Sequence, residues 1–179
     1  MQYPKITGEW TLFLDRDGVI NKKLDGTYVM NPDQFEILPG VAEAIGVLSS
    51  MFGRIIVVTN QQGIGKELMT HEDIANIHDK MIEAIAWSGG RIDEIYYCPD
   101  LAWEDSPNRK PNPGMGFLAK GDFPDIDFRK SIMVGDSVSD IEFGKALKMK
   151  TVRILTGRDN NADFTHSSLA DFLLYLNTH

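Results

Sequence analysis

The sequence has a single cysteine, Cys98, which excludes an intrachain disulfide and any site built from several thiolates. A reducing, cytoplasmic setting follows from that scarcity. Long apolar runs are also missing. The longest aliphatic block is the short Ile55 to Val58, and no basic stretch followed by an apolar run lies between Met1 and Trp10. Neither a signal peptide nor a membrane span is therefore expected. Positive charge is in short supply, with 18 basic residues against 26 acidic ones and a net charge of −8. That balance argues against nonspecific attraction to nucleic acid, although a local basic patch can still bind one phosphate.

What is present is ordinary globular material: 42% hydrophobic and 25% charged residues in 179. A chain of this length fits one domain, 1–179, that buries roughly 70% of the surface its unfolded form exposes. Apolar strand-like runs alternate with helical patterns. Strands are predicted at Trp10 to Leu14, Ile55 to Val58, Ile92 to Tyr97, Ser131 to Val134 and Thr151 to Leu155.

Between them, Val41, Ala44, Ile45 and Leu48 recur at helical spacing, and a longer helix opens at Thr70, with Asp73 three residues on. Its predicted buried stripe is Ile74, Ile77, Met81, Ile82 and Ile85, and Gly89-Gly90 stops it. Asn112-Pro113 reads as a helix start with Asn as the cap. A further helix runs through Leu147, and one around Leu169 to Leu176 closes the chain. The pattern predicts an α/β fold: a doubly wound, mainly parallel five-stranded, Rossmann-like sheet. Ligands of such sheets bind beyond the carboxyl ends of the strands, so polar residues at those ends belong together.

Those ends carry Asp15-Arg16-Asp17-Gly18, Thr59-Asn60-Gln61, Cys98 ahead of the Arg109-Lys110 loop, and Gly135-Asp136-Ser137. Carboxylates and a carbonyl on converging loops suit Mg²⁺, a hard cation that takes oxygen ligands. Asp15 and Asp17 are two apart at a buried strand end, where alternation turns their side chains toward the same side. Two carboxylates so placed repel unless a cation or a shared proton intervenes, which lets one stay ionised as nucleophile while the other carries a proton as general acid. Thr59 and Asn60 offer groups for phosphate oxygens, and Lys110, in the stiff Arg-Lys-Pro-Asn-Pro loop, can aim an ammonium at the phosphate while Arg109 engages the rest of a substrate. Taken singly, D-x-D-G is as readily a turn, Thr-Asn a cap, and Arg-Lys a solvated pair. Their joint occurrence at successive strand ends is what points to phosphate chemistry.

In order and spacing these motifs, DRDG, VTNQ, RKP and VGDSVSD, resemble the haloacid dehalogenase superfamily of phosphatases from Phe13 to about Leu155. Within it, INKK with TYV, TNQQGIGK, IYYCPD, RKPNPGM and MVGDSVSD are similar to the branch that holds histidinol phosphatases and D,D-heptose 1,7-bisphosphate phosphatases, heptose bisphosphate being the nearer likeness. The resemblance implies Asp15 as nucleophile and Asp17 as acid and base, with Asp15, the Asp17 carbonyl and Asp136 around Mg²⁺. It gives Thr59 and Lys110 the phosphoryl group, Arg109 the substrate, and Asp140 a supporting part near the metal. It also implies no large cap domain, with loops such as Asn21 to Tyr28 and Pro99 to Asn108 over the site.

Where that branch has a zinc loop with Cys-x-His and Cys-x-Cys, this sequence has Cys98, Asp100, Ser106 and Asn108, so no zinc is expected. The expected partner is a small phosphorylated metabolite, with no nucleic acid and no membrane, acted on by a monomer. Histidinol phosphate and a polynucleotide 3′-phosphate remain alternative substrates, and a phosphoaspartyl receiver-like signalling domain is the non-enzymatic alternative. His71, His78, His166 and His179 show no ligand spacing and read as ordinary helix or tail residues.

Overall fold

The computed structural model describes residues 3–178, so His179 lies outside the described residues. Its centre is a six-stranded sheet. The strands are β1 (Thr11–Leu14), β2 (Arg54–Asn60), β3 (Glu94–Cys98), β4 (Ser131–Gly135), β5 (Lys150–Ile154) and β6 (Phe164–His166), in the spatial order β3-β2-β1-β4-β5-β6. Every neighbouring pair is parallel. Helices α1 (Val41–Met51), α2 (His71–Trp87), α3 (Gly114–Asp122), α4 (Val138–Ala146) and α5 (Leu169–Thr178) connect or follow them.

Alternation along the central strands sorts the core into two layers. Leu12, Leu14, Ile55, Val57, Ile132 and Val134 face one side, packed with Ile45 and Leu48 of α1, Ile77 and Met81 of α2 and Phe172 of α5. Phe13, Ile56, Val58 and Met133 face the other, against Met115 and Ala119 of α3 and Phe143 of α4. Burial on both faces is why these strands read as unbroken apolar runs. The chain moves outward from β1 through β2 to β3, then returns to β4 on the far side of β1. Strands β1 and β4 therefore meet at the point where the winding reverses, with Leu14 beside Val134, and the crevice for a ligand opens there. No inserted cap domain interrupts the described residues.

The sequence reading missed β6, a three-residue edge strand reached through a polar turn, whose Phe-Thr-His is too short to show alternation. Ile82 is 41% exposed, and His78 takes a buried place on α2 in its stead. Asn112 does not cap α3: Pro113 holds the cap position, and the Asn112 amide donates to the Ser106 carbonyl at 2.8 Å, back into its own loop. Thr70 and Asp73 form a full reciprocal capping box.

Candidate active site

The turn after β1 is tight. The Asp15 N–H donates to the Val134 carbonyl at 2.9 Å, tying the end of β1 to β4, and the Arg16 carbonyl accepts from both Ile20 and Asn21. Gly18 sits at φ +88°, and a Cβ there would lie 2.3 Å from Asp136 Oδ2. Only glycine tolerates both the left-handed conformation and that approach. On the other side Gly135 permits a close approach alone, because a Cβ on it would lie 2.1 Å from Asp140 Cβ. Asp140, on the first turn of α4, is thereby drawn down beside the end of β4.

Lys110 enters from the loop before α3. The Asn60 side chain holds that loop by its backbone, donating to the Lys110 carbonyl and accepting from the Lys110 N–H, both at 3.0 Å. The buried ammonium then donates to Asp15 Oδ1 at 2.8 Å, Asp140 Oδ1 at 2.6 Å and the Val58 carbonyl at 2.7 Å. The other Asp140 oxygen accepts from the Ser137 N–H at 2.9 Å and its hydroxyl at 2.6 Å.

Asp15, Asp136 and Asp140 each offer a carboxylate oxygen within 4.8 Å of the others. One buried lysine among three carboxylates leaves excess negative charge. Burial, and then the charge of Asp140, push Asp15 up to about 7 in spite of Lys110. Lys110 is itself pushed up to about 12, because Asp140 and Asp15 outweigh the burial that would lower it. Asp17 stands apart from the trio. Arg16 donates to both of its oxygens at 3.0 Å, Asn21 to one at 3.0 Å and Gln61 to the other at 2.8 Å. Burial works to raise its pKa, but the Arg16 guanidinium and the other donors hold the carboxyl below the usual range. Without a cation, the two carboxyls are thus shifted in opposite directions, Asp15 upward and Asp17 downward. Asp17 lacks the crowding that the reading assumed, since its carboxylate has a guanidinium of its own.

These groups line a cavity of about 290 Å³ at the carboxyl ends of β1, β2 and β4, together with Lys23, Tyr28, Thr59, Gln62, Arg109 and Ser139.

The HAD-hydrolase-like family model matches residues 107–174. A D-glycero-alpha-D-manno-heptose-1,7-bisphosphate 7-phosphatase of Mycobacterium tuberculosis is 46% identical over 134 residues, covering 75% of this chain and 70% of the relative. The D-glycero-beta-D-manno-heptose-1,7-bisphosphate 7-phosphatase of Escherichia coli is 37% identical over 174 residues, covering 89% and 90%. The chain belongs to the haloacid dehalogenase superfamily of phosphatases, in its heptose-bisphosphate phosphatase branch. The crystal structure of the D,D-heptose 1.7-bisphosphate phosphatase from B. bronchiseptica, complexed with magnesium and phosphate, superposes with a TM-score of 0.85 at 29% identity, over 94% of this chain and 98% of that one.

In this phosphatase Asp15, Asp17, Thr59, Asn60, Arg109, Lys110 and Asp136 all line one cavity. Their side chains are committed in ways the sequence did not foretell. The Asn60 amide is spent on the Lys110 backbone, and the Thr59 hydroxyl accepts from Gln61 at 2.9 Å. Arg109 donates to the Asp100 carbonyl at 3.1 Å, from the loop beside the cavity.

The sequence reading overlooked four residues of the surroundings. Arg16, the middle residue of D-x-D, is wholly buried. Asn21 and Gln61 lie within the quoted motifs and give no separate signal. His78 accepts from Arg16 at 3.3 Å, being kept neutral by burial and by that guanidinium, which together hold it down to about 3. An isolated histidine on a helix gives no hint of such a contact.

Proposed function

We propose that this phosphatase removes a phosphate from D-glycero-D-manno-heptose 1,7-bisphosphate, at the 7-position, through a phosphoryl group carried briefly on Asp15. The carboxylate trio braced by buried Lys110 supports the chemistry. Relatives named for this substrate, at 32% to 46% identity, support the sugar.

A divalent cation fits this site. Oxygen donors are all it offers, and Asp136 Oδ1 is buried without a hydrogen-bond partner. Asp15, Asp136 and the Asp17 carbonyl would hold Mg²⁺, with Asp140 alongside. When bound, the ion supplies charge neutralisation at the phosphoryl oxygens. An ion beside Asp15 also favours its ionised form, as a nucleophile requires.

Asp15 attacks phosphorus in line, so that a carboxyl oxygen–phosphorus bond forms while the ester bond breaks. Asp17 gives a proton to the leaving alcohol. Moving out of the Arg16 contact toward a phosphate dianion raises its proton affinity, which suits it to that step. It then takes a proton from the water that attacks phosphorus, and phosphate leaves with Asp15 restored. Thr59 and Lys110 steady the phosphoryl group, Asn60 sets the Lys110 loop, and Arg109 faces the sugar.

We expect no zinc in the 98–108 loop. Cys98 Sγ faces Asp100 Oδ2 at 3.4 Å and Ser106 Oγ at 3.8 Å, and burial pushes the thiol up, away from the thiolate that zinc takes. Stoichiometric zinc in the purified protein would contradict this. We further infer one domain over 1–179, acting as a monomer in the cytoplasm. Among the described residues no helix is long and apolar enough to cross a membrane.

The test is turnover of both heptose bisphosphate anomers, histidinol phosphate and a 3′-phosphorylated oligonucleotide, with Mg²⁺ and with chelator. Heptose bisphosphate should give the highest kcat/KM, and chelation should abolish it. Preference for histidinol phosphate would overturn the substrate, and chelator-resistant activity the metal.

A further inference from the structure

Five charged side chains form the cluster, the carboxylate trio with Lys110 and one more, and only four of them have a part in the chemistry above. The fifth is Lys23, on the segment that follows the β1 turn. Its ammonium lies 2.8 Å from Asp136 Oδ2, the Lys23 side chain being 54% exposed and the Asp136 side chain 17%. The charges do not close. Asp15, Asp136 and Asp140 carry three negative charges when ionised and Lys110 returns one, which leaves two. Lys23 balances one of these from the open side, and Asp136 Oδ1 stays buried with no partner. With Lys23 in place one negative charge remains, and with Lys23 withdrawn the deficit is two, the charge of one divalent cation.

We propose that Lys23 is a displaceable counter-ion of the cation site: its contact with Asp136 and occupancy of the site by a divalent ion exclude one another. The inference rests on the function proposed above. A cation drawing on Asp136 withdraws from Lys23 the carboxylate it pairs with and places a like charge beside it, and a half-exposed lysine can move into water at little expense. Metal binding thereby unlatches the segment 23–27 from the end of β4, while the Lys22 N–H stays bonded to the Glu36 carbonyl at 2.9 Å. Tyr28, at the end of that segment, stays pinned at its hydroxyl by Gln62 at 2.9 Å and Lys66 at 3.0 Å, so the released stretch is short.

The experiment is calorimetric titration of the metal-free protein with Mg²⁺ alone, comparing wild type, Lys23→Met and Lys22→Met. Lys22 is the control for bare charge, since it pairs only loosely with Glu36 at 3.8 Å and both side chains are largely exposed. Lys23→Met should bind Mg²⁺ roughly two- to fivefold more tightly than wild type, the range of a partly exposed ion pair, and Lys22→Met at the wild-type level. Lys23→Gln should behave as Lys23→Met does, which guards against a folding defect in one variant. Hydrogen exchange of residues 23–27 should quicken when Mg²⁺ is added to wild type and change little in Lys23→Met. Equal or weaker Mg²⁺ binding by both neutral variants, or equal tightening by Lys22→Met, would overturn the inference while leaving the phosphatase reading intact. A wild type that neither binds Mg²⁺ nor turns over a phosphate ester would overturn both.

Discussion

The two ends of the sheet carry the same kinds of charge under opposite conditions. At the amino ends of the strands, Lys130 meets Glu9 at 2.6 Å with side chains 46% and 72% exposed, and Arg54, 20% exposed, meets an Asp125 that is 74% exposed at 2.7 Å. At the carboxyl ends, Lys110 meets Asp15 and Asp140 at 2.8 and 2.6 Å with all three side chains nearly removed from solvent. Exposed pairs of the first kind are screened and contribute little. Buried ones carry a desolvation penalty of several kcal/mol per ion that their attraction only partly repays. Here the signs do not even balance. A cluster of that kind is poorly explained as a stabilising device and well explained as a site kept for a cation and a phosphate.

Breaking the carboxyl end should have the largest effects. Asp15→Asn is expected to abolish turnover of phosphate esters, by at least ~10³-fold in steady-state assays, since no other group takes the nucleophile's place. Its metal-free form should nevertheless unfold at the wild-type temperature or higher, because one of three crowded carboxylates has gone. Lys110→Met should do the opposite to stability. It strands Asp15 and Asp140 without their shared cation, a loss of about 3–5 kcal/mol readable by chemical denaturation. Asp17→Asn should lower kcat by about 10²- to 10⁴-fold, the range for a lost general acid, while leaving Mg²⁺ affinity within a few-fold of wild type.

A smaller effect should appear in the pH dependence of stability. Folding holds His78 down to about 3, through burial and the charge of Arg16, whereas the unfolded chain protonates near the ordinary histidine value of about 6.5. Between those values the unfolded state binds the additional proton, so stability falls as the pH drops through that window. The contribution should reach about 1 kcal/mol by pH 5.5 and be missing in His78→Gln, measured by denaturant titration at several pH values. At the opposite end of the sheet, Lys130→Ala should change neither turnover nor the denaturation midpoint measurably.

The same contrast explains how much was legible beforehand. Strands β1, β2 and β4 announced themselves as unbroken apolar runs, because burial on both faces leaves no polar positions to confuse the period. The residues at their ends were legible because the winding of the sheet brings its strand ends together. What escaped was the pairing among those residues. Nothing in D-R-D says that the arginine turns inward to grip the second aspartate, or that Asn60 gives up its amide to the Lys110 loop. Such choices are settled by contacts across tens of residues, as between Arg16 and His78, and a short motif holds no record of them. Strand β6 escaped for a simpler reason, being three residues on an edge.

The most direct test is mass spectrometry of the Asp17→Asn variant, acid-quenched during reaction with substrate and Mg²⁺. Without the group that activates water, the phosphorylated form should accumulate, and peptide mapping should find one phosphoryl group on Asp15. A phosphoryl group on another side chain, or continued turnover by a protein whose Asp15 is never modified, would contradict the account.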